Sequence, residues 1–331
     1  ADRAGIDPST LSFVGHGTTV ATNAVLEREW AETALVTTEG FRDVLEIGRQ
    51  TRPALYDLHA EKPRPVVDRE RRYEVSERLD ARGTVVEPLD EEQVRALADE
   101  LDESVESVAV SLLFSFENDA HERRVAAILD AELDATISRS SAVLPEIKEY
   151  ERTLTTALNA GLRPILDDYL ARLAAAFEDR AVPSGFAVMH STGGLTDPEA
   201  AAERPVGTLL SGPAAGVQGA AHVAGLGGYD DVLTMDMGGT SCDVSLVRDG
   251  EPVVSTEVTV GDYPVALPMI DVHTIGAGGG SIAWIDAGGA LRVGPTSAGA
   301  EPGPVCYGRG GTEPTVTDAH VVLGRLDPAR F

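Results

Sequence analysis

Up to about residue 225 the apolar positions follow two alternating rhythms. Short apolar runs predict buried strands at Leu11–Val14, Thr33–Thr37, Val105–Phe114, Ala135–Ser138 and Gly185–His190. Between them, helical spacing predicts helices over Val20–Glu27, Phe41–Ile47, Asp90–Leu101, His121–Glu132 and Glu146–Phe177. In Asp90–Leu101 the residues Val94, Leu97, Ala98 and Leu101 share one face. Pro164 is expected to divide the longest helical stretch, because proline cannot donate the interior hydrogen bond. Residues 51–90, rich in Pro, Arg and Glu, read as an irregular or small-sheet insertion. Strands alternating with helices predict an α/β fold with a mostly parallel sheet. Beyond 225, Gly, Thr and Val rise, helices are expected to disappear, and turns such as Arg248-Asp249-Gly250 and Ala287-Gly288-Gly289 predict hairpins. Gly225–Gly228 is the expected junction. It separates an α/β domain over 1–228 from a Gly-rich, β-dominated domain over 229–331.

Length agrees with two domains, since 331 residues exceed the size at which one core usually stops growing. A hydrophobic content of 43% excludes a disordered chain. Two cysteines, Cys242 and Cys306, exclude a disulfide framework and a four-cysteine zinc site. No apolar run approaches the roughly 18 residues of a membrane span, and Ala1–Ala4 lacks the apolar stretch of a signal peptide. A cytoplasmic, reducing location is therefore expected.

Charge changes the picture further. Acidic residues number 54 against 27 basic ones, a formal net charge of -27, and only Lys62 and Lys148 are lysine. Nucleic-acid binding through a basic patch is excluded, because phosphate would meet a negative field. The acids are spread along the chain, as in a protein kept soluble in concentrated salt. At molar salt the Debye length falls to about 3 Å, which screens the self-repulsion. A halophilic cytosolic protein is the expectation.

Chemistry concentrates in glycine-rich turns. Val232–Val247 reads as a strand, the turn Asp236-Met237-Gly238-Gly239-Thr240-Ser241, and a second strand carrying Asp243. Paired glycines let backbone amides approach phosphate oxygens, and Thr240 and Ser241 add hydroxyl donors. Asp236 is placed to hold a Mg²⁺-bound water or orient a nucleophilic one. An ordinary Asx-type hairpin is the alternative. In Asp271–Ser281, Gly276, Gly278, Gly279 and Gly280 suggest a second cradle for phosphate or substrate, against a flexible loop. Asp271 and His273 project to one strand face, which suits either a shared metal or a hydrogen-bonded pair. Thr18, Thr19 and Asn23 open a helix after a Gly-rich turn, where an anion or simple capping fits equally. Ser211–Gly216 also opens a helix, and His190–Gly194 follows a strand toward a possible cleft. Cys242 and Cys306 read as packed thiols, whereas Asp318 is either a helix cap or a site carboxylate.

Seven collinear motifs then bring a resemblance. GHGTTVATNAVLER, ALVTTEGFRDVLEIGRQ, HSTGGL, LLSGPAAGV, DMGGTSCDVSL, DVHTIGAGGGSIAW and GPTSAGAEPGPVCYGRGGTEPTVTDAHVVLGRLDP run from Gly15 to Pro328, within a match that covers Leu11 to Pro328. Together they resemble the hydantoinase A / 5-oxoprolinase family, which includes ATP-dependent ketone carboxylases. The resemblance implies an actin-like ATPase fold in which two ribonuclease-H-like domains clasp ATP and Mg²⁺. It maps the family's second phosphate loop onto Asp236, Gly238, Gly239, Thr240 and Ser241; Asp236 and Asp243 are the candidate catalytic carboxylates. Nothing in the chain matches the family's first, N-terminal phosphate loop, so an internal piece of a longer subunit, inactive alone, is expected. For the whole protein the resemblance implies phosphorylation of the carbonyl oxygen of a cyclic amide such as hydantoin or 5-oxoproline, then attack by water. It also implies a hydantoinase B-type partner subunit and an oligomer. A carboxylase subunit and a non-catalytic nucleotide-binding module are the competing functions.

Overall fold

A computed structural model describes residues 7–57, 59–101, 104–180, 182 and 185–330. The reading of Ala1–Ala4 lies outside the described residues. The chain forms two compact units, one of Ala1–Gly212 with Ser255–Met269, the other of Pro213–Val254 with Ile270–Phe331. The division therefore falls inside the helix Ser211–Leu226, upstream of the glycine run at 225–228.

The first unit is α/β, as the alternation predicts. Its four-stranded sheet is parallel throughout, in the order Arg72–Val75, Thr33–Thr38, Ser107–Ser111, Thr136–Arg139. Every residue of Thr33–Thr38 is buried, which explains a continuous apolar and β-branched run with no polar alternation. A second sheet pairs Val14–His16 in parallel with Phe186–Met189, which continues antiparallel to Leu195–Thr196. One strand of the large sheet, Arg72–Val75, comes from the supposed insertion. The same segment also holds the 3-10 turn Arg69–Arg71 and the small hairpin Arg78–Leu79/Val85–Glu87.

Two helix expectations need correction. Glu149–Glu178 is one unbroken helix with Pro164 inside it. Leu154, Ala157, Leu158 and Leu162 fill one core, while Leu166 and Leu170 fill another. Burial of both halves outweighs the roughly 3 kcal/mol that an interior proline costs. Phe41–Ile47 is helical only over Val44–Ile47.

In the second unit Val232–Met237, Cys242–Arg248 and Val272–Ile275 form an antiparallel sheet. One face of it, with Val247, Val232 and Val272, packs on Ala214, Val217 and Ala221 of the helix. The hairpins appear as expected, including Ser281–Ile285 with Leu291–Ser297. Helices do not vanish, however: Val316–Val322 is a helix with a complete capping box between Thr315 and Asp318.

Candidate active site in the second unit

The strongest motif forms a tight antiparallel hairpin. Its register places Met237 opposite Cys242 and Asp236 opposite Asp243. On the next strand Thr274 stands opposite Asp243 and donates its hydroxyl to the Asp243 carboxylate at 2.7 Å. Side chains alternate between faces, so Asp236, Asp243 and Thr274 form a row on one face of the sheet. Two like charges directly opposite are unfavourable unless a cation lies with them. Neither aspartate has an ion-pair partner among the described residues. The pair therefore fits Mg²⁺, which needs only one or two carboxylates and completes its shell with water and phosphate.

Beside this pair lies the turn. The Gly238 amide donates to the Ser241 carbonyl at 2.9 Å. The amides of Gly239, Thr240 and Ser241 have no protein acceptor among the described residues. Consecutive free amides in a turn form an anion-binding concavity, which suits a phosphate group. The donor set fits ATP with Mg²⁺ on that ground.

The second glycine cluster packs against the hairpin turn. Gly279 and Gly280 donate their amides to the Gly238 and Gly239 carbonyls, at 2.8 and 2.6 Å. A Cβ on Gly278 would sit 2.6 Å from the Thr240 nitrogen and 2.7 Å from that of Ser241. On Gly279 it would meet Thr317 Oγ1 at 2.7 Å, and on Gly280 the Gly239 oxygen at 2.9 Å. These three glycines thus lie backbone against backbone under the hairpin turn. A Cβ on Gly276, by contrast, meets nothing within 4 Å. Thr317 was not foreseen. Its amide and hydroxyl both donate to the Gly279 carbonyl at 2.8 Å, tying the C-terminal helix to the loop. Thr274 was missed as well, although its two-residue offset from Val272 marks it as sharing a strand face.

A cavity of about 600 Å³ opens against both loops, lined by Gly238, Gly239, Gly279 and Gly280 with Thr317, His320 and Arg325. Asp318 is a structural hub rather than a free site carboxylate. It accepts from the amides of Val305, Cys306 and Thr315 and from the Thr315 hydroxyl, at 2.7 to 3.2 Å. Burial alone would raise its pKa, but these donors, Cys306 and Thr315 above all, bring it down to about 2. Burial and the adjacent Asp318 push the Cys306 thiol up, as expected of a packed thiol. Cys242 is buried.

Asp271 and His273 stand apart from the carboxylate row. His273 lies opposite Val244 in the register, on the other face from Asp236 and Asp243. Among the described residues no group of three or more His, Cys, Asp or Glu side chains converges as a metal site.

In the first unit the remaining candidates gather at the carboxyl ends of two parallel strands. Val14–His16 leads into Thr18, Thr19 and Asn23, while Phe186–Met189 leads into His190–Gly194. The Thr18 hydroxyl accepts from the Val20 amide at 3.2 Å, a local capping role, and Asn23 Nδ2 donates to Thr19 Oγ1 at 3.4 Å. Ser211 donates to the Thr18 carbonyl at 3.0 Å, so the Ser211 turn closes on the same loop. His190 is packed over Gly207, where a Cβ would lie 2.4 Å from its Nε2. Burial and Arg204 lower the His190 pKa.

Comparison with known proteins adds to this geometry. Residues 152–331 match the hydantoinase/oxoprolinase family model, and residues 1–133 match the model of the family's N-terminal region. The chain is 42% identical to caprolactamase subunit alpha of Pseudomonas jessenii over 94% of its own length and 45% of that protein's. It is 39% identical to the acetophenone carboxylase gamma subunit of Aromatoleum aromaticum, over 97% of its length and 46% of the other's. It therefore spans about half the length of these curated relatives. The crystal structure of the ATP-dependent caprolactamase from Pseudomonas jessenii superposes with a TM-score of 0.87 at 40% identity, covering 97% of this chain and 47% of that one. No helix among the described residues is long and apolar enough to cross a membrane. With both halves matched and the fold shared, the glycine-braced hairpin is set in a chain that belongs to the hydantoinase/oxoprolinase family.

Proposed function

We propose that this chain is the nucleotide-handling half of an A-type subunit that hydrolyses a cyclic amide of the hydantoin, N-methylhydantoin or 5-oxoproline type at the expense of ATP. The observation that carries the reading is the pairing of Asp236 with Asp243 beside the free amides of Gly239, Thr240 and Ser241. ATP bound there would supply the phosphoryl group that turns the amide carbonyl into a good electrophile. The three amides and the hydroxyls of Thr240 and Ser241 hold phosphate oxygens in place. Asp236 holds Mg²⁺ or orients the attacking water, and Asp243 is kept in register by the Thr274 hydroxyl. Gly278–Gly280 keep the turn rigid, so its donors need no reorganisation as charge develops. Within the first unit, Thr18, Thr19 and Asn23 are assigned to phosphate binding on the anion preference of a helix start. The whole enzyme pairs with a B-type subunit and works in the cytoplasm, and its acidic surface suits molar salt.

The test is substrate-dependent ADP release by the full-length protein with its partner subunit. Asp236→Ala should abolish release while leaving the fold intact, and wild-type turnover in that variant would sink the assignment. The similarity to a carboxylase subunit supports a second reading, ATP-dependent carboxylation. An absolute bicarbonate requirement for ADP release would favour it over hydrolysis.

A further inference from the structure

The first unit contains a cavity of about 550 Å³ that the proposed chemistry does not use. It lies between residues 45–53, residues 62–65, the start of the long helix and residues 262–264. Its size is that of a small-molecule pocket. Leu45, Leu154 and four prolines, Pro53, Pro63, Pro65 and Pro264, give the lining an apolar, stiff part. The polar part of the lining is rich in donors.

Three cations, Arg49, Lys62 and Arg64, line the cavity against two carboxylates, Glu46 and Asp262. In a chain where acids outnumber bases two to one, that balance is inverted. Both carboxylates are engaged elsewhere, Glu46 by Arg72 and Asp262 by Arg28. Arg49 and Arg64 are likewise paired, to Glu151 and Asp68. Lys62 is the exception. Its Nζ donates only to the Ile47 carbonyl, at 3.1 Å, and faces no carboxylate among the described residues. It is one of just two lysines in the sequence. The half-buried Tyr150 hydroxyl has no protein hydrogen-bond partner among the described residues either. Burial and Glu151 push its pKa up, so it keeps a proton to donate. The rim beside them turns at Gly48 and Gln50, both at positive φ, 53° and 56°. For Gln50 that conformation is unfavourable and is held by its surroundings.

We infer that this cavity binds a small organic carboxylate, its charged end on Lys62 and Tyr150 and its apolar body against the proline wall. A free lysine in an acidic chain supplies the attraction, and the stiff wall favours an organic body over a bare inorganic anion. The site is separate from the ATP reading and does not depend on it.

The test is titration of the chain, without nucleotide, with cyclopentanecarboxylate, followed by saturation-transfer NMR and calorimetry. This probe has no amide, so its binding is independent of the proposed reaction. Lys62→Ala should weaken binding about tenfold, the loss expected for one charged hydrogen bond. Tyr150→Phe, a change that keeps the packing, should weaken it about threefold to fivefold. Cyclopentylmethanol, which lacks the charge, should not compete. Unchanged affinity in both variants, or equal binding of the alcohol, would overturn the inference. So would displacement by equimolar inorganic phosphate, which would make this a site for any compact anion.

Discussion

Two glycine loops of the second unit look interchangeable in sequence and differ in what surrounds them. Around Gly239 a Cβ would meet nothing within 4 Å, and its amide is free. Around Gly278 a Cβ would run into three backbone atoms at 2.6 to 2.7 Å. At Gly239 the space beside the loop is open, whereas at Gly278 glycine is needed because another backbone already fills the space. Composition reports only that both positions lack a side chain. The reason for each lies in the neighbour.

The comparison can be broken by substitution. The largest effect is expected from Asp236→Ala, which should lower ADP release by the full-length enzyme at least about 10²- to 10³-fold, the scale of one lost transition-state contact. Gly278→Ala should follow, costing about 1–3 kcal/mol of unfolding free energy in a denaturant titration, because the backbone it meets cannot give way. If Gly278→Ala were as stable as wild type, the loops would not be packed as described. Asp318→Asn should cost about 1–2 kcal/mol in the same titration, since a carboxylate holding four donors is replaced by an amide that accepts fewer. The Asp318 pKa is depressed, so its contribution is present above the ordinary carboxylate value of 3.8 and is lost as pH falls toward about 2. Acid unfolding of the Asn variant should be correspondingly flatter across that window. Gly239→Ala should change stability by no more than about 0.5 kcal/mol, yet weaken ATP binding by the full-length protein. The smallest effect belongs to His273→Ala. Its face of the sheet is not that of the Asp236 row, so the divalent-ion dependence of ADP release should stay unchanged.

Much of the fold was legible along the chain. The fully buried Thr33–Thr38 and the capped Glu91–Glu100 lie where periodicity puts them, because their burial is decided by local pattern. The N-cap at Asp90, with its side chain accepting from the amides of Glu92 and Gln93, completes that signal. Pro164 misled for the opposite reason. A local rule said break, and packing against two separate cores kept the helix whole. The alternation from Arg72 to Leu79 marks a small-sheet segment, but not that Arg72–Val75 joins the large parallel sheet as its edge strand, since that pairing with Thr33–Thr38 is non-local.

The sequence by itself determined the α/β class, the glycine-rich turns and the family, since these rest on local spacing and on motifs in fixed order. Only the tertiary structure decided which aspartates face each other and that Gly278–Gly280 brace the turn. Those facts depend on contacts between residues some 40 positions apart or on register between strands, and no local pattern encodes either.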